Sequence, residues 1–214
     1  MASQKQRVDG QKKRADIVRK AARLFLAKGF EAASTSDICS AAKITRPALY
    51  HYFKSKNHLL FCVHMRAVEE VLRPYMERVI KIEEPEERLE TMIRDFVKGI
   101  CSHRELRFIL HGSLTIRDKY FAQVRQEWRG LQVLLRDTIA ELQSLGKASE
   151  SLKPSWAALE MLGMMTWTTF WFDYKKKDRI DAIADSAVEM AFRGIRPEAG
   201  PRAVPRRTKR ESGR

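Results

Sequence analysis

Glycine and proline are scarce in this chain, at ten and seven residues of 214. A fold assembled from tight turns needs more of both, so long uninterrupted helices are expected. Cysteine is scarcer still. Cys39, Cys62 and Cys101 are odd in number and far apart, with no CxxC pair. That excludes a disulfide framework and a cysteine zinc site, and fits buried thiols in a reducing compartment. Long apolar runs are missing as well. The stretch "LEMLGMMTWTTFWF" holds a glutamate and three threonines in about fourteen residues, where a membrane span needs roughly twenty, so it is expected as a buried core helix. The polar, basic start "MASQKQRVDGQKKR" has no signal-peptide character. A cytoplasmic protein with no membrane partner is expected.

Recognisable catalytic chemistry is absent too. There is no HExxH, GxGxxG, Walker or GxSxG pattern, and the five histidines (51, 58, 64, 103 and 111) show no metal-ligand spacing. The glutamate pairs 83/84 and 86/87 open a helix, where the backbone dipole accounts for them. His111 beside "LRFIL" is either a pocket base or an ordinary hydrogen-bonded side chain. No catalytic residue, metal or cofactor is expected, and the chain is not expected to be an enzyme.

What the chain does have is positive charge, and it is concentrated. The net charge is +14. Residues 1–56 carry 13 Lys/Arg against 4 Asp/Glu, residues 57–195 balance at 21 of each, and residues 196–214 carry 7 against 2. The excess therefore flanks a neutral body, which points to a polyanionic partner at the N-terminal end. The division expected is a basic, polyanion-facing unit over 1–56, a larger neutral domain over 57–195, and a tail over 196–214. The tail's proline, glycine and charge content predicts disorder.

Almost every segment has helical period, with no useful strand-period run and no internal repeat, so an all-α fold is expected. Residues 14–28 place Ile17, Ala21, Leu24 and Phe25 on one face and stop at Gly29. "TSDICSAA" forms a second short helix, capped by Thr35 or Ser36, with Asp37 in its first turn and Ile38, Ala41 and Ala42 inward. After "KIT", Thr45 caps a third helix that tolerates Pro47 in its first turn. Three short helices with a tight turn between the last two form a helix-turn-helix.

The segment "ITRPALYHYFKSK" shows what the third helix is for. Leu49 and Phe53 are four apart and share a buried face, which leaves Arg46, Pro47, Tyr50, His51 and Lys54 outward. Such a face suits a DNA major groove and its flanking phosphates. Arg46 can reach guanine O6 and N7 with its fork of donors. Pro47 and Ala48 can lie against thymine methyls, and His51 adds to the base-facing set. Tyr50, Tyr52, Lys56, Thr35 and Ser36 can hold phosphates. For Tyr50 and Tyr52 the alternative is packing against the first helix.

The wider run "AARLFLAKGFEAASTSDICSAAKITRPALYHYFKSKNHLL" resembles the DNA-binding domain of the TetR (tetracycline repressor) family of bacterial regulators. The likeness rests on the A-x-x-L-F-x-x-K-G-F helix with its glycine stop, the "TSDI" element, the two-alanine helix end and "LYHYFKSKxxLL", and covers roughly residues 12–62. Lys43 stands where the family usually has glycine, so a lysine must accept any left-handed strain that the turn imposes. The resemblance implies operator contacts at the third-helix positions just named.

Residues 57–81 are expected as one long helix, kinked at Pro74. A helix after "EEPEER" carries Leu89, Ile93, Phe96, Val97 and Ile100 on one face. A short helix around "ELRFILHG", a long one from Tyr120 to Leu145, one opened by Pro154, and a last one ending at Ile195 complete the body. The helix over 155–172 is apolar nearly all round, so one side can meet a partner subunit and the other a cavity. The last helix carries Ile180, Ala184, Ala187, Val188 and Ala191 as a small-residue stripe. It packs either inside the chain or, as the resemblance implies, in a four-helix homodimer interface with Leu159, Gly163 and Phe170. Phe96, Ile100, Phe108, Phe121, Trp128, Met161, Met165 and Trp167 form either plain core or an apolar ligand lining, with Arg107 and His111 as orienting polar groups. The resemblance implies a small-molecule effector, and the order "TWTTFWFDY" before a last helix resembles regulators that sense acyl-CoA thioesters or aromatic acids. The expectation is a homodimeric repressor released from a palindromic double-stranded DNA operator by an apolar, aromatic or acyl-CoA-type ligand. Its rivals are a helical small-molecule-binding enzyme with a basic N-terminus and a sequence-independent architectural DNA binder.

Overall fold

Buried side chains recur at helical spacing along the described residues, and the backbone follows them. The computed structural model describes residues 2–103, 106, 120–175 and 179–197, the side chains of 2–7 and 121 excepted. Among these residues there are helices and no strand: α1 (Ala2–Lys28), α2 (Thr35–Ala42), α3 (Arg46–Tyr52), α4 (Lys56–Ala67), a π-helical turn (Val68–Leu72), α5 (Arg73–Val79), α6 (Pro85–Ser102), α7 (Tyr120–Ser144), α8 (Pro154–Trp171) and α9 (Ile180–Ile195). The expected helix around "ELRFILHG" and the tail beyond residue 197 lie outside the described residues.

The head is built on a core of Ile17, Ala21 and Phe25 from α1, Ile38 and Ala42 from α2, Leu49 from α3, and Phe53, Leu59 and Leu60 around the start of α4. Ala41 is exposed and Leu24 only half-buried. Gly29 ends α1 at φ 82°, a left-handed conformation that glycine adopts without strain. The cap of α2 is Ser34, not Thr35 or Ser36. Its hydroxyl accepts from the Asp37 N–H at 3.0 Å, and its own N–H donates to Asp37 Oδ2 at 2.9 Å. The acid three residues on selects Ser34, because only that spacing closes a reciprocal capping box. Lys28 adds a 3.1 Å ion pair to Asp37. Lys43 does take the left-handed conformation (φ 52°, ψ 55°), and the turn closes through Ile44 N–H to Cys39 O at 3.0 Å.

The single helix expected over 57–81 is interrupted before Pro74. Proline has no N–H to donate and its ring crowds the carbonyl four residues back. The backbone widens by one residue, so that the Arg73 N–H bonds the Val68 carbonyl, five positions back. The result is a π-helical turn, Val68–Leu72, directly before the Arg73–Val79 helix that contains Pro74.

The body is organised on α6, whose Leu89, Met92, Ile93, Phe96, Val97, Ile100 and Cys101 are all buried. It packs against α5, α7, α8 and α9. The small residues Ala184, Ala187 and Ala191 let α9 lie close along α6, and all three are buried there. Two ion pairs, Arg94–Asp185 and Lys98–Asp181 (2.6 Å), fix that register. The alanine stripe therefore serves the chain's own core. Arg88 clamps the α5–α6 loop to α7 by donating to Ile82 O and Thr138 Oγ1, each at 3.1 Å, and to Glu141.

Candidate nucleic-acid interface and ligand cavity

The outward face of α3 is the one its spacing predicts. Arg46, Pro47, Tyr50, His51 and Lys54 are exposed, with Tyr50 51% accessible, while Leu49 and Phe53 point inward. Ala48 is half-buried. Thr45 caps the helix through Ala48 N–H at 3.4 Å. Arg46 Nη2 donates to Thr35 Oγ1 at 3.2 Å, so the arginine is already raised on the α2 terminus where Thr35 and exposed Ser36 lie. Tyr52 is half-buried, edge-on to His51 at 5.3 Å and near Phe53, both its chain neighbours. Lys56 is the first residue of α4 and does not lie free beyond α3. Its ammonium donates to Glu31 O at 3.2 Å and stands 4.3 Å over the Phe30 ring. A cation at a helix N-terminus is disfavoured by the dipole, and these two contacts offset that cost. Lys54 is the exposed lysine of the pair.

A cluster of rings ties this head to the body. His58 lies between Phe53, Phe61 and Tyr120, with the Tyr120 ring 5.2 Å away, and its Nδ1 accepts the Lys54 N–H at 3.1 Å. Burial, reinforced by the nearby Arg14 and Lys54 charges, pushes its pKa below the usual histidine range. Arg14 reaches across the same seam, donating to Cys62 Sγ at 2.9 Å and standing 5.3 Å from the Phe53 ring centre.

Beneath that seam the body holds a cavity of about 540 Å³ between the π-helical turn, α5, α6 and α7. Phe96, Ile100 and Trp128 line it as expected from sequence. Val68, Val71, Leu72, Tyr75 and Leu106 complete the apolar wall, with the Arg78–Asp95 pair (2.6 Å) at its rim. Sequence reading missed these because the π-helical turn, which turns Val68 and Val71 inward, has no periodic signature. Tyr75 donates to Met92 O at 2.7 Å, and burial pushes its phenol well above the usual range. Trp128 is edge-on to Phe96 at 6.3 Å, and its Nε1–H is buried without a hydrogen-bond partner among the described residues. A buried unpaired donor costs roughly 1–3 kcal/mol, so an acceptor arriving there is favoured.

The remaining sequence-derived pocket residues go elsewhere. Met161 and Met165 are buried core that does not line the cavity, because the inner face of α8 packs on α6 and α7. Trp167 is 60% exposed, on the opposite face of α8. Arg107, Phe108 and His111 lie outside the described residues, as does the side chain of Phe121. The exposed face of α8 carries Trp156, Leu159, Gly163, Trp167, Phe170 and Trp171 at helical spacing, joined by Met190 of α9. Trp167 stacks on Phe170 at 4.4 Å. Ile180 and Val188 are half-buried beside Ala184, Ala187 and Ala191, which face α6. Among the described residues, no group of three or more His, Cys, Asp or Glu could hold a metal ion, the three thiols are free and buried, and no helix is long and apolar enough to cross a membrane.

A helix-turn-helix head with a cationic outer face, joined by α4 to an all-α body that carries a mostly apolar cavity, is the architecture of a DNA-binding regulator. The chain matches the model of the bacterial regulatory proteins of the tetR family over residues 17–63 and that of the tetracyclin repressor-like C-terminal domain over residues 83–195. It belongs to the TetR family of transcriptional regulators. It is similar to the crystal structure of AibR in complex with isovaleryl coenzyme A and operator DNA, with 26% identity and a TM-score of 0.76 over 84% of this chain and 98% of that one. It is 20% identical over 191 residues to the HTH-type transcriptional activator FasR of Mycolicibacterium smegmatis, covering 88% of this chain and 85% of FasR. FadR of Bacillus subtilis in complex with stearoyl-CoA shares the fold, with 20% identity and a TM-score of 0.71 over 85% of this chain and 98% of that one.

Proposed function

We propose that this regulator is a cytoplasmic homodimeric repressor that holds a palindromic operator through α3 and releases it when an acyl thioester enters the cavity. The observation that carries the reading is the cavity itself. It is about 540 Å³, mostly apolar with Glu70, Arg78, Asp95 and His103 also in its lining, and walled by the continuation of the helix that abuts α3; Trp128 Nε1 is buried beside it with no partner among the described residues. Its volume is in the usual range for small-molecule sites. The resemblance to AibR, which binds isovaleryl coenzyme A and operator DNA, supports the same class. Dimerisation is supported by the exposed aromatic stripe of α8, since a contiguous apolar patch of that kind marks an association surface. A two-fold pair also sets two α3 helices one turn of DNA apart, as a palindrome requires.

The test is a gel-shift titration of the protein on the DNA upstream of its own gene, with unrelated duplex as competitor, with and without isovaleryl-CoA and decanoyl-CoA. Specific retention that is lost on adding a thioester is the expected result. Equal competition by unrelated duplex would leave an architectural binder. Retention untouched by either thioester would remove the acyl-thioester reading. A reporter fused to that upstream DNA checks the sign, with expression rising on gene deletion.

A further inference from the structure

A second space adjoins the cavity across the π-helical turn. Ala67, Glu70, Val71, His103 and Leu106 line the cavity on one side and this second space, of about 330 Å³, on the other. That second space is bounded by Arg19 and Arg23 of α1 and Arg66 of α4, on the seam between head and body. A groove of about 620 Å³ shares Arg19, Arg66 and Glu70 with it and adds Lys12 and Arg14. The three spaces are neighbours that share walls, with the apolar cavity innermost and the cationic groove outermost.

The charges around the two outer spaces do not cancel. Five cations (Lys12, Arg14, Arg19, Arg23, Arg66) face three carboxylates, Asp16, Glu69 and Glu70. Asp16 is shared by Arg19 at 2.5 Å and Lys20 at 2.8 Å, which lowers its pKa. Glu70 takes the Nε–H of Arg66 at 2.8 Å, which leaves the two terminal nitrogens of that guanidinium for another acceptor. Arg23 makes no ion pair or side-chain hydrogen bond among the described residues. Convergent arginine forks match the geometry of phosphate oxygens better than that of any neutral ligand.

We propose that this seam is the subsite for the phosphates of a coenzyme A thioester whose acyl end occupies the inner cavity, with Arg23, Arg19 and Arg66 as the phosphate-holding residues. The proposal rests on the acyl-thioester reading above and adds where the anionic half goes. Its consequence is direct coupling. Arg19 and Arg23 belong to α1 of the DNA-binding head, so an anion bridging them to Arg66 fixes the head against the body in one orientation. A ligand without phosphates can fill the cavity and still leave that bridge unmade.

The experiment measures binding by calorimetry at two salt concentrations for the wild type, Arg23→Gln, Arg66→Gln and the double variant. The probes are isovaleryl-CoA and decanoyl-CoA beside the same acyl groups on N-acetylcysteamine, which carries no phosphate. The double variant is expected to lose about ten-fold or more in affinity for the CoA thioesters, the scale of lost charge-assisted hydrogen bonds, together with most of their salt dependence. Its affinity for the N-acetylcysteamine thioesters should match the wild type. Equal losses on both probe types would mean that the arginines only support the structure, and unchanged CoA binding would put the phosphates elsewhere. Either result overturns the subsite while leaving the acyl-thioester reading intact. Wild-type protein that binds neither probe type would sink that reading and the subsite together.

Discussion

Trp167→Glu should convert the protein to monomers. The indole is 60% exposed on the outer face of α8, stacked on Phe170 and in line with Leu159 and Gly163. A tryptophan buries on the order of 200 Å² when fully covered, so the exposed share offers roughly 120 Å² to a partner. At about 25 cal/mol per Å² that is ~3 kcal/mol. A two-fold interface uses the same patch twice, so the upper bound is ~6 kcal/mol, or about four decades in the dimer dissociation constant. The introduced carboxylate adds the cost of burying a charge without a partner. Sedimentation velocity at micromolar concentration reads the change, and circular dichroism should stay that of the wild type because nothing in the subunit core is disturbed. Operator affinity should fall with it. A W167E protein that sediments as a dimer at the wild-type dissociation constant would refute the assignment of this face. Ala184→Glu is no substitute, because Ala184 is fully buried against α6 and its loss would unfold the subunit before it tested any interface.

Three further outcomes follow from the head. Arg46→Ala is expected to cost about 1–3 kcal/mol per half-site and to flatten preference at one base pair, while Lys54→Ala should weaken all sequences alike and shallow the salt dependence by about one phosphate per subunit; titrations of the operator and its point variants at several salt concentrations separate the two, and uniform losses for Arg46→Ala would make it a phosphate contact. Lys43→Gly should raise the melting temperature, because a left-handed non-glycine residue costs roughly 1 kcal/mol, part of which glycine's extra unfolded-state freedom takes back; a lower melting temperature would mean that the lysine side chain itself contributes. Asp37 has its carboxyl held down at about 2 by the Ser34 N–H first and then by Lys28. Its folded pKa lies below its unfolded one, so its contribution is present above about pH 4 and is lost as pH falls towards 2. Asp37→Asn should remove that segment of the acid-unfolding curve, and an unchanged curve would mean that the capping box carries none of the pH dependence.

The head was legible because local rules and tertiary demands agree there. Leu49 and Phe53 four apart, Gly29 after the first helix and Thr45 before Pro47 each specify one conformation, and the structure adopts all of them. The Ser34 cap was missed by one residue because several hydroxyls in "STSD" compete, and only the reciprocal bond to Asp37 decides. The body was less legible because apolar residues at helical spacing look alike whether they face a core, a cavity or a partner. Met165, Trp128 and Trp167 are equally hydrophobic in sequence, yet one is core, one lines the cavity and one is exposed. Which alternative holds depends on where neighbouring helices cross, and the π-helical turn moves that crossing by shifting α5 one residue out of phase. Its cause, Pro74 after an arginine, was visible, but its form was not.

That turn also joins the cavity to the helix that leads back to α3. Val68 and Val71 wall the cavity, and the twelve residues of α4 connect them to Lys56, four residues beyond the end of α3. Along α4, His58 holds the Lys54 N–H, Phe61 and His58 pack on Tyr120, and Cys62 accepts from Arg14 of α1. An α-helix is stiff along its axis, so a displacement at Val68 cannot be absorbed before it reaches these contacts. A π-helical turn is the softer element, since its extra residue can be taken up or released by a change of one hydrogen-bond register. A ligand that prefers one register over the other, by the 1–3 kcal/mol usual for coupled sites, would reposition α4 and with it α3 on each subunit. In the proposed homodimer two α3 helices would have to match two half-sites at fixed spacing, so a small tilt in each subunit would be felt twice at the operator.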